Sequence, residues 1–396
     1  MDRWEVMKHT PVIAAAVALA LVAAACGSDA DSTPAAEPAA TTAVTDEPAA
    51  ESADDAAAAE VAAAGIRAAA FTEAPTAIPQ LVPLTGPVEQ GATVVIIGCE
   101  LPQCGVISDG AIAAAEAIGW KTEYLQYDAL GDAYATLHQA MVDALQYDPL
   151  VVFPIGAAQQ AWDDLQPQYA EAGITITTIA TGDTAPSDVV TQGASDGADY
   201  VKSGAILADW FIEDSGAKGK ALVQDVPAYV VLQQWAEGFR NNVAANCTEC
   251  EIVSFDAAPA QIGELCPTIV SKLQKDPDIE YLITSDGAFL PCLPSALAAA
   301  GIEGIKIAGG AADVNNFLEL TTGGNAAWSS EAPDQFGWIA VDIAARHLLG
   351  MDIEPSGGGR LNMLVTADNV GNPDDWALGL PYPTDYEAQF KLLWGV

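Results

Sequence analysis

Basic residues are scarce in this chain of 396 residues, in which 14 lysines and arginines stand against 54 aspartates and glutamates. The formal net charge of −40 predicts a surface that repels phosphate backbones, so we expect no nucleic-acid partner. Anionic ligands are also disfavoured, because few basic residues are present to build a local site for one.

Histidine is scarcer still, since only His9, His138 and His347 occur and they are far apart in the sequence. This leaves little for general acid–base catalysis or for binding a metal ion. The sequence also has no P-loop and no H-E-x-x-H motif, and no G-x-G-x-x-G follows the first strand. We therefore expect no catalytic residue, no metal and no cofactor, and we predict that the protein is not an enzyme.

The first 26 residues have the pattern of an export signal. "MDRWEVMKH" carries two basic residues and is followed by the apolar run "TPVIAAAVALALVAAA" and then by "ACGSD". The run has the length of a signal peptide and is short for a membrane span. A cysteine directly after small residues resembles a bacterial lipobox, which would make Cys26 the lipidated first residue of the mature protein. The alternative is an ordinary secretory peptide that is cut near Ala25.

Residues 27–90 are rich in alanine, proline, threonine and acidic residues, with almost no large apolar side chain before Ile66. Such a composition cannot bury enough apolar surface to offset the entropy of ordering. It predicts a disordered spacer between the membrane and the folded body.

Six cysteines follow Cys26, and an even number in an exported protein favours disulfide bonds. Pairing near neighbours first gives Cys99–Cys104, Cys247–Cys250 and Cys266–Cys292. A zinc site at "CTEC" is the alternative interpretation, but it lacks a second pair of ligands nearby.

From Gly91 onward, apolar strands alternate with helical segments. "ATVVIIG", "KTEYLQYD", "PLVVFPI" and "ITITTIA" are each followed by a helical or loop segment, and the pattern restarts at "GADYVKSGAILADWFIEDSG". Alternation of this kind predicts parallel sheets with both faces covered by helices. The fold class is therefore α/β, with two doubly wound parallel-sheet lobes.

The tripeptide Ser-Asp-Gly occurs three times, ending at Gly110, Gly197 and Gly287. Serine and aspartate accept hydrogen bonds from the first turn of a helix, so Asp109 and Asp196 are interpreted as caps or crossover residues. Asp286 follows an apolar strand. Ligands of open α/β sheets bind outside the carboxyl ends of the strands, so we expect Asp286 to face a ligand.

The order and spacing of several stretches resemble the type I periplasmic binding proteins, in the ribose-binding-like branch of ABC-importer solute receptors. They are "ATVVIIGCELPQCGVISDGAIAAAEAIGW", "TQGASDGADYVKSGAILADW", "WAEGFRNNV", "YLITSDGAF" and "EAPDQFGWIAVDIA". The resemblance extends from Gly91 to Thr366. It implies three hinge crossovers near Ala194–Asp196, Asp334–Gln335 and Leu361–Thr366. The N-terminal lobe would hold residues 91–194 and 335–362, and the C-terminal lobe residues 195–334 and 363–396.

The resemblance also implies a set of ligand-binding positions: Glu100, Gln103, Thr181, Tyr229, Gln233, Asp286, Asp313 and Gln335. These are acids, amides and hydroxyls without an arginine, which suits a sugar or another neutral or cationic solute, with an apolar part over Tyr229 or Trp328. Ala180 and Thr181 stand where the family usually has Asp-Arg, and this departure counts against a sugar.

The expected function follows from the same resemblance. A monomer anchored by lipid alone, facing the periplasm or the cell exterior, would capture a small-molecule ligand between its lobes and deliver it to an ABC permease. The alternative is a receptor of the same shape that signals to a membrane kinase, because closure of the lobes serves both outputs.

Overall fold

The computed structural model describes residues 53–156, 158–257, 262–290, 292–353, 359–377 and 379–396. The predicted signal peptide, Cys26 and the first part of the predicted spacer lie outside these residues. Among the residues that are described, no helix is both long enough and apolar enough to cross a membrane.

Eleven α-helices and ten strands lie in these described ranges. The helices are α1 Ala53–Ala69, α2 Pro102–Ala117, α3 Ala133–Ala144, α4 Gln166–Ala172, α5 Gly197–Asp214, α6 Val230–Asn246, α7 Ile262–Lys275, α8 Leu293–Ala300, α9 Val314–Thr322, α10 Pro333–Leu348 and α11 Tyr386–Trp394. The strands are β1 Thr93–Cys99, β2 Lys121–Tyr127, β3 Val151–Pro154, β4 Thr175–Ile176, β5 Lys220–Asp225, β6 Glu251–Asp256, β7 Tyr281–Thr284, β8 Lys306–Gly310, β9 Ala327–Glu331 and β10 Asn362–Thr366.

The strands form two sheets, one in each lobe. The N-terminal sheet has the order β2-β1-β3-β4 and is parallel throughout. The C-terminal sheet has the order β10-β9-β8-β7-β5-β6, and β10 alone runs antiparallel to its neighbour. Central strands such as β1 and β7 are buried on both faces, which explains their continuous apolar sequences. The predicted fold class is confirmed.

A close helix crossing covers each sheet. Helices α2 and α10 cross at Gly110 and Gly337 in the N-terminal lobe, and a Cβ on Gly110 would lie 2.0 Å from the Asp334 carbonyl oxygen. In the C-terminal lobe, α5 and α6 cross at Gly204 and Gly238, where a Cβ on Gly204 would lie 1.9 Å from the Trp235 carbonyl oxygen. Glycine is therefore required by the approach of the backbones.

Three passages of the chain between the two lobes lie side by side. Ser195 lies between the last bridge of the N-terminal sheet and α5, Ala332 lies between β9 and α10, and Arg360 precedes β10. The predicted crossover residues Asp334 and Gln335 lie in the first turn of α10. Asp196 caps α5 by accepting a hydrogen bond from the Ala198 amide, as predicted.

Residues 53–90, here called the amino-terminal arm, are folded against the body, so the predicted disordered spacer is wrong for this segment. Helix α1 packs on α5 and buries Ala57, Ala64 and Ala68. Arg67 of α1 pairs with Asp209 of α5 at 2.7 Å. Alanine is the strongest helix former, and its small side chain allows α1 to approach α5 closely. The prediction of disorder relied on the scarcity of large apolar residues and therefore missed this packing.

The amino-terminal arm continues from one lobe to the other. The Phe71 carbonyl oxygen accepts a hydrogen bond from the Leu364 amide of β10 at 2.8 Å. Further along, the Val82 carbonyl oxygen accepts from Arg346 of α10 at 2.5 Å, and the Leu84 amide donates to the Leu393 carbonyl oxygen at 2.9 Å. The arm thus holds β10 of the C-terminal lobe at one end and α10 of the N-terminal lobe at the other.

Helix α11 packs on α10 of the N-terminal lobe, whereas the sequence predicted residues 363–396 in the C-terminal lobe. The rings of Trp394 and Trp338 stack with centroids 5.4 Å apart. The Trp394 indole nitrogen also donates to Asp342 at 2.9 Å. Only β10 and the residues directly after it belong to the C-terminal lobe. The chain then returns to the N-terminal lobe before α11.

Among the described residues three disulfide bonds are present: Cys99–Cys104, Cys247–Cys250 and Cys266–Cys292. They are the pairs predicted from the sequence. The first bond ties the end of β1 to the first turn of α2, and the third ties α7 to the residue that precedes α8.

Candidate functional site

A cleft of about 90 Å³ lies between the two lobes beside the three crossovers. Both lobes line it. The N-terminal lobe contributes Gln103, Ile107, Tyr127, Ile155 and Ala180, and the C-terminal lobe contributes Tyr200, Tyr229, Leu232, Asp286, Phe289 and Glu331. Because strand ends and helix starts meet here, the cleft has the position of a ligand site in an open α/β fold.

Aromatic and aliphatic side chains form most of the wall. Tyr127 is buried, and its hydroxyl donates to the Ile155 carbonyl oxygen at 2.9 Å. The hydroxyl of Tyr229 donates to the Ala129 carbonyl oxygen at 3.3 Å, and this hydrogen bond joins the C-terminal lobe to the N-terminal lobe. Burial raises the pKa of both phenols, so they remain neutral.

Asp286 is the acid that the C-terminal strands bring to the cleft. It follows β7, and one of its carboxylate oxygens accepts a hydrogen bond from the Ala288 amide at 2.8 Å. Burial raises the pKa of Asp286 to about 7, and the neighbouring acids Glu331 and Asp313 act in the same direction. Asp286 is thus both a cap of the helical turn Gly287–Phe289 and part of the cleft wall.

Glu331 and Arg360 form a buried ion pair at the crossovers, with 2.7 Å between their charged groups. The remaining donors of Arg360 point into the protein, where its Nη1 donates to Ser195 at 2.7 Å. The guanidinium carbon also lies 4.0 Å from the ring centroid of Tyr200. The pair therefore links all three crossovers, and Glu331 reaches the cleft with its charge already compensated.

Two of the cleft residues have a left-handed backbone without being glycine. Ala180 has φ 53° and Ala311 has φ 39°, and Ser195 at the first crossover has φ 54°. Such residues persist only where the surroundings impose the conformation, and they cluster at ligand clamps and hinges. Each of the three directly follows a residue that pairs within a sheet, at the end of the sheet beside the cleft or the crossovers.

Residues Gly193–Gly197 read G-x-S-x-G, the pattern of a hydrolase nucleophile. Ser195 is fully buried and its hydroxyl oxygen accepts from Arg360. The described histidines are elsewhere, since His138 faces Asp164 and His347 lies in the last turn of α10. The serine thus has no histidine base among the described residues, and its role is in the crossover.

Three of the eight predicted ligand residues, Gln103, Tyr229 and Asp286, lie together around the cleft. Gln103 lies in the first turn of α2, and its amide nitrogen approaches Glu331 at 3.4 Å. The predicted cap at Ser108 and Asp109 is wrong, because α2 begins at Pro102 and the Ser108 hydroxyl donates to the Cys104 carbonyl oxygen within the helix.

The other predicted ligand residues do not line the cleft, and most have a structural partner instead. Glu100 accepts from the Ala129 and Leu130 amides and holds the loop after β2. Asp313 forms a capping box at the start of α9, and Gln335 donates to the Tyr382 carbonyl oxygen.

Thr181 and Gln233 lie near the cleft without contributing to its wall. Thr181 is buried next to Ala180, and Gln233 is half-buried in α6. Trp328, which was expected to cover an apolar part of the ligand, is fully buried in the core of the C-terminal lobe.

Sequence reasoning missed four residues of the site: Tyr127, Tyr200, Glu331 and Arg360. Tyr127 ends β2 and Glu331 ends β9, so the rule that ligands lie outside strand ends would have found both. Tyr200 lies within α5, and Arg360 follows a glycine-rich stretch. No local pattern marks either of them.

Residues 104–352 match the family described as periplasmic binding protein domain. The chain belongs to the periplasmic binding protein family. The matched residues include both sheets except for β1 and β10, and most of the residues that line the cleft. No curated protein sequence matched the chain significantly.

Solved structures of the same fold are distant in sequence. GanP, a glucose-galactose binding protein from Geobacillus stearothermophilus, is 19% identical with a TM-score of 0.62, and the alignment covers 72% of this chain and 100% of that one. A solute-binding protein from Agrobacterium vitis with bound α-D-tagatopyranose is 19% identical with a TM-score of 0.59, covering 72% and 97%. One from Bradyrhizobium sp. BTAi1 with bound Bis-Tris is 14% identical with a TM-score of 0.61, covering 76% and 90%. These similarities show the fold.

Proposed function

We propose that this protein is an extracytoplasmic solute-binding protein, which captures a small ligand between its two lobes and delivers it to an ABC import permease. The proposal includes export by residues 1–26, a lipid anchor on Cys26 and action as a monomer. Membership of the periplasmic binding protein family supports an extracytoplasmic location.

The observation that carries the proposal is the cleft, whose wall is divided between the lobes. Tyr127 and Ala180 come from one lobe, and Tyr229 and Asp286 come from the other. A ligand held in the cleft would contact both lobes at once, so its binding energy would favour the closed arrangement. The hydrogen bond from Tyr229 to Ala129 would form only in that arrangement.

The first experiment is thermal melting of the chain from residue 27 onward against panels of sugars, polyols, amines and aromatic solutes. A ligand present at a hundred times its dissociation constant stabilises the protein by about 2.7 kcal/mol. Small-angle scattering of the same protein, with and without the solute that raises the melting temperature, then measures the radius of gyration. We expect compaction. If no solute class raises the melting temperature, or if scattering does not change, the proposal fails.

Tyr229→Phe tests whether closure contributes to binding, because it removes only the hydroxyl that joins the lobes. We expect about a fivefold loss of affinity, which corresponds to one hydrogen bond. Tyr134→Phe is the matched control, since the Tyr134 hydroxyl donates to the Gln160 carbonyl oxygen away from the cleft. Equal affinities of the two variants would contradict the role of closure.

A further inference from the structure

The chemistry of the cleft wall restricts the class of ligand. Four aromatic rings, Tyr127, Tyr200, Tyr229 and Phe289, line it together with several aliphatic side chains. The charged and amide side chains on it are Gln103, Asp286 and Glu331. A hydroxyl-rich ligand would leave several of its groups against apolar walls, and each unpaired buried hydroxyl weakens binding.

An anionic ligand would find no partner on this wall. Among the described residues, neither lysine nor arginine lines the cleft. Arg360 is adjacent, but it is fully buried, with one nitrogen bonded to Ser195 and another to Glu331. Tyr200 and Phe336 cover its guanidinium plane, with ring centroids 4.0 Å and 5.3 Å from the central carbon.

Asp286 is the one charged group of this wall whose charge no neighbour compensates. One oxygen of its carboxylate accepts from the Ala288 amide, and among the described residues no basic side chain pairs with it. The groups that face it are the acids Glu331 and Asp313 and the phenol of Tyr229, and none of these supplies positive charge. The raised pKa of this carboxyl, about 7, is consistent with a missing counter-ion.

We propose that the ligand is a small organic cation, whose positive charge pairs with the carboxylate of Asp286 while its apolar or aromatic body packs against the tyrosines. Aromatic faces attract a cation through their quadrupole, and they bury an apolar body at the same time. This inference rests on the proposed function, because it specifies the ligand of the same cleft.

The test compares amines with neutral molecules of the same shape. Phenethylamine, tyramine and tryptamine are titrated calorimetrically against the chain from residue 27 onward, beside phenethyl alcohol, tyrosol and tryptophol. We expect at least one amine to bind at least tenfold more tightly than its alcohol. Its affinity is expected to rise with pH up to about 7, as Asp286 ionises, and then to level off.

The second part of the test uses the variant Asp286→Asn, because asparagine keeps the acceptor for the Ala288 amide and loses only the charge. We expect it to weaken amine binding at least tenfold and to leave alcohol binding unchanged. Asp132→Asn is the matched control, since Asp132 also caps a helix, through the Ala135 amide, but neither lines the cleft nor faces Asp286. Its amine affinity is expected to equal that of the wild type.

The outcomes separate this inference from the proposed function. If sugars or polyols bind and compact the protein while no amine binds, the ligand class is wrong and the proposed function stands. If amine and alcohol bind equally, or if Asp286→Asn leaves the difference intact, the pairing with Asp286 is wrong. If no solute of any class binds, both proposals fail.

Discussion

Arg360 and Glu331 form an ion pair of 2.7 Å in which the guanidinium is fully buried and the carboxylate is 4% exposed. Arg360 precedes β10 and Glu331 ends β9, while the Ser195 hydroxyl at the first crossover accepts a second hydrogen bond from the same guanidinium. One side chain therefore connects the three neighbouring crossovers at Ser195, Ala332 and Arg360.

Removing this arginine is expected to destabilise the protein strongly. In Arg360→Met the carboxylate of Glu331 stays buried without a counter-ion, which costs about 3–5 kcal/mol in the free energy of unfolding. Urea unfolding measures the loss. The double variant Arg360→Met/Glu331→Gln removes both charges and is expected to recover a large part of it. A single variant as stable as the wild type would show that the pair is not important for stability.

The raised pKa of Asp286 predicts a pH dependence of stability in the ligand-free protein. The folded state holds the proton up to about pH 7, whereas the unfolded state releases it near the ordinary value of 3.8. The contribution of Asp286 to the free energy of unfolding is thus largest below about pH 4, falls as the pH rises towards 7, and stays constant above that. We expect the loss to exceed about 1.4 kcal/mol, the equivalent of one pKa unit.

Comparison with Asp286→Asn isolates this contribution, because burial raises the pKa of other carboxyls as well, including Glu331 and Asp334. Urea unfolding at pH 4.5 and pH 7.5 gives, for each protein, the change in the free energy of unfolding between the two pH values. The wild type is expected to lose more stability over this interval than the variant. Equal losses would mean that Asp286 titrates normally.

Glycines in α2 provide a matched test of the helix crossing in the N-terminal lobe. Gly110→Ala would place its Cβ 2.0 Å from the Asp334 carbonyl oxygen, so the helices must move apart. We expect a loss of about 1–3 kcal/mol from overpacking. Gly105→Ala lies in the same helix with no atom within 4 Å of its Cβ, and it is expected to stabilise the protein by about 0.5–1 kcal/mol. Urea unfolding is expected to give changes in the free energy of unfolding of opposite sign for the two variants. Changes of the same sign would contradict the close crossing of α2 and α10.

Deleting the amino-terminal arm is expected to weaken the body. A chain starting at Gly91 loses the contacts that Arg67, Val82 and Leu84 make with Asp209, Arg346 and Leu393. At about 1 kcal/mol for each hydrogen bond, the expected loss is about 3 kcal/mol. A chain starting at Ala53 is the control and should unfold at the urea concentration of the chain starting at residue 27. Equal stability of all three would show that the arm is only loosely attached.

The order of strands and helices was predictable from the sequence because strand and helix periodicities differ clearly, as in the apolar run of β1 and the amphipathic pattern of α9. The amino-terminal arm was not predictable in the same way. Its helix is stabilised by small alanines packed on α5 and by Arg67. A segment with few large apolar residues also fits the composition of a disordered tail, so composition alone does not reveal this packing.

The candidate site was predicted only in part, for a related reason. Asp286 was found because it follows a strand, and Tyr229 because it lies in the loop before a helix. Tyr200 and Arg360 come together from positions 160 residues apart, through the packing of α5 against the third crossover. That proximity is a property of tertiary packing and has no signature in either local sequence.

The amino-terminal arm and α11 place the two ends of the folded body on different lobes. Ile66 of α1 is 75% exposed on the C-terminal lobe, and Leu392 of α11 is 80% exposed on the N-terminal lobe. Fluorescent dyes attached at these two positions would form an energy-transfer pair that spans the hinge and leaves the cleft unlabelled. If the lobes close on a ligand as proposed, the energy-transfer efficiency of this pair would measure the change in their separation one molecule at a time.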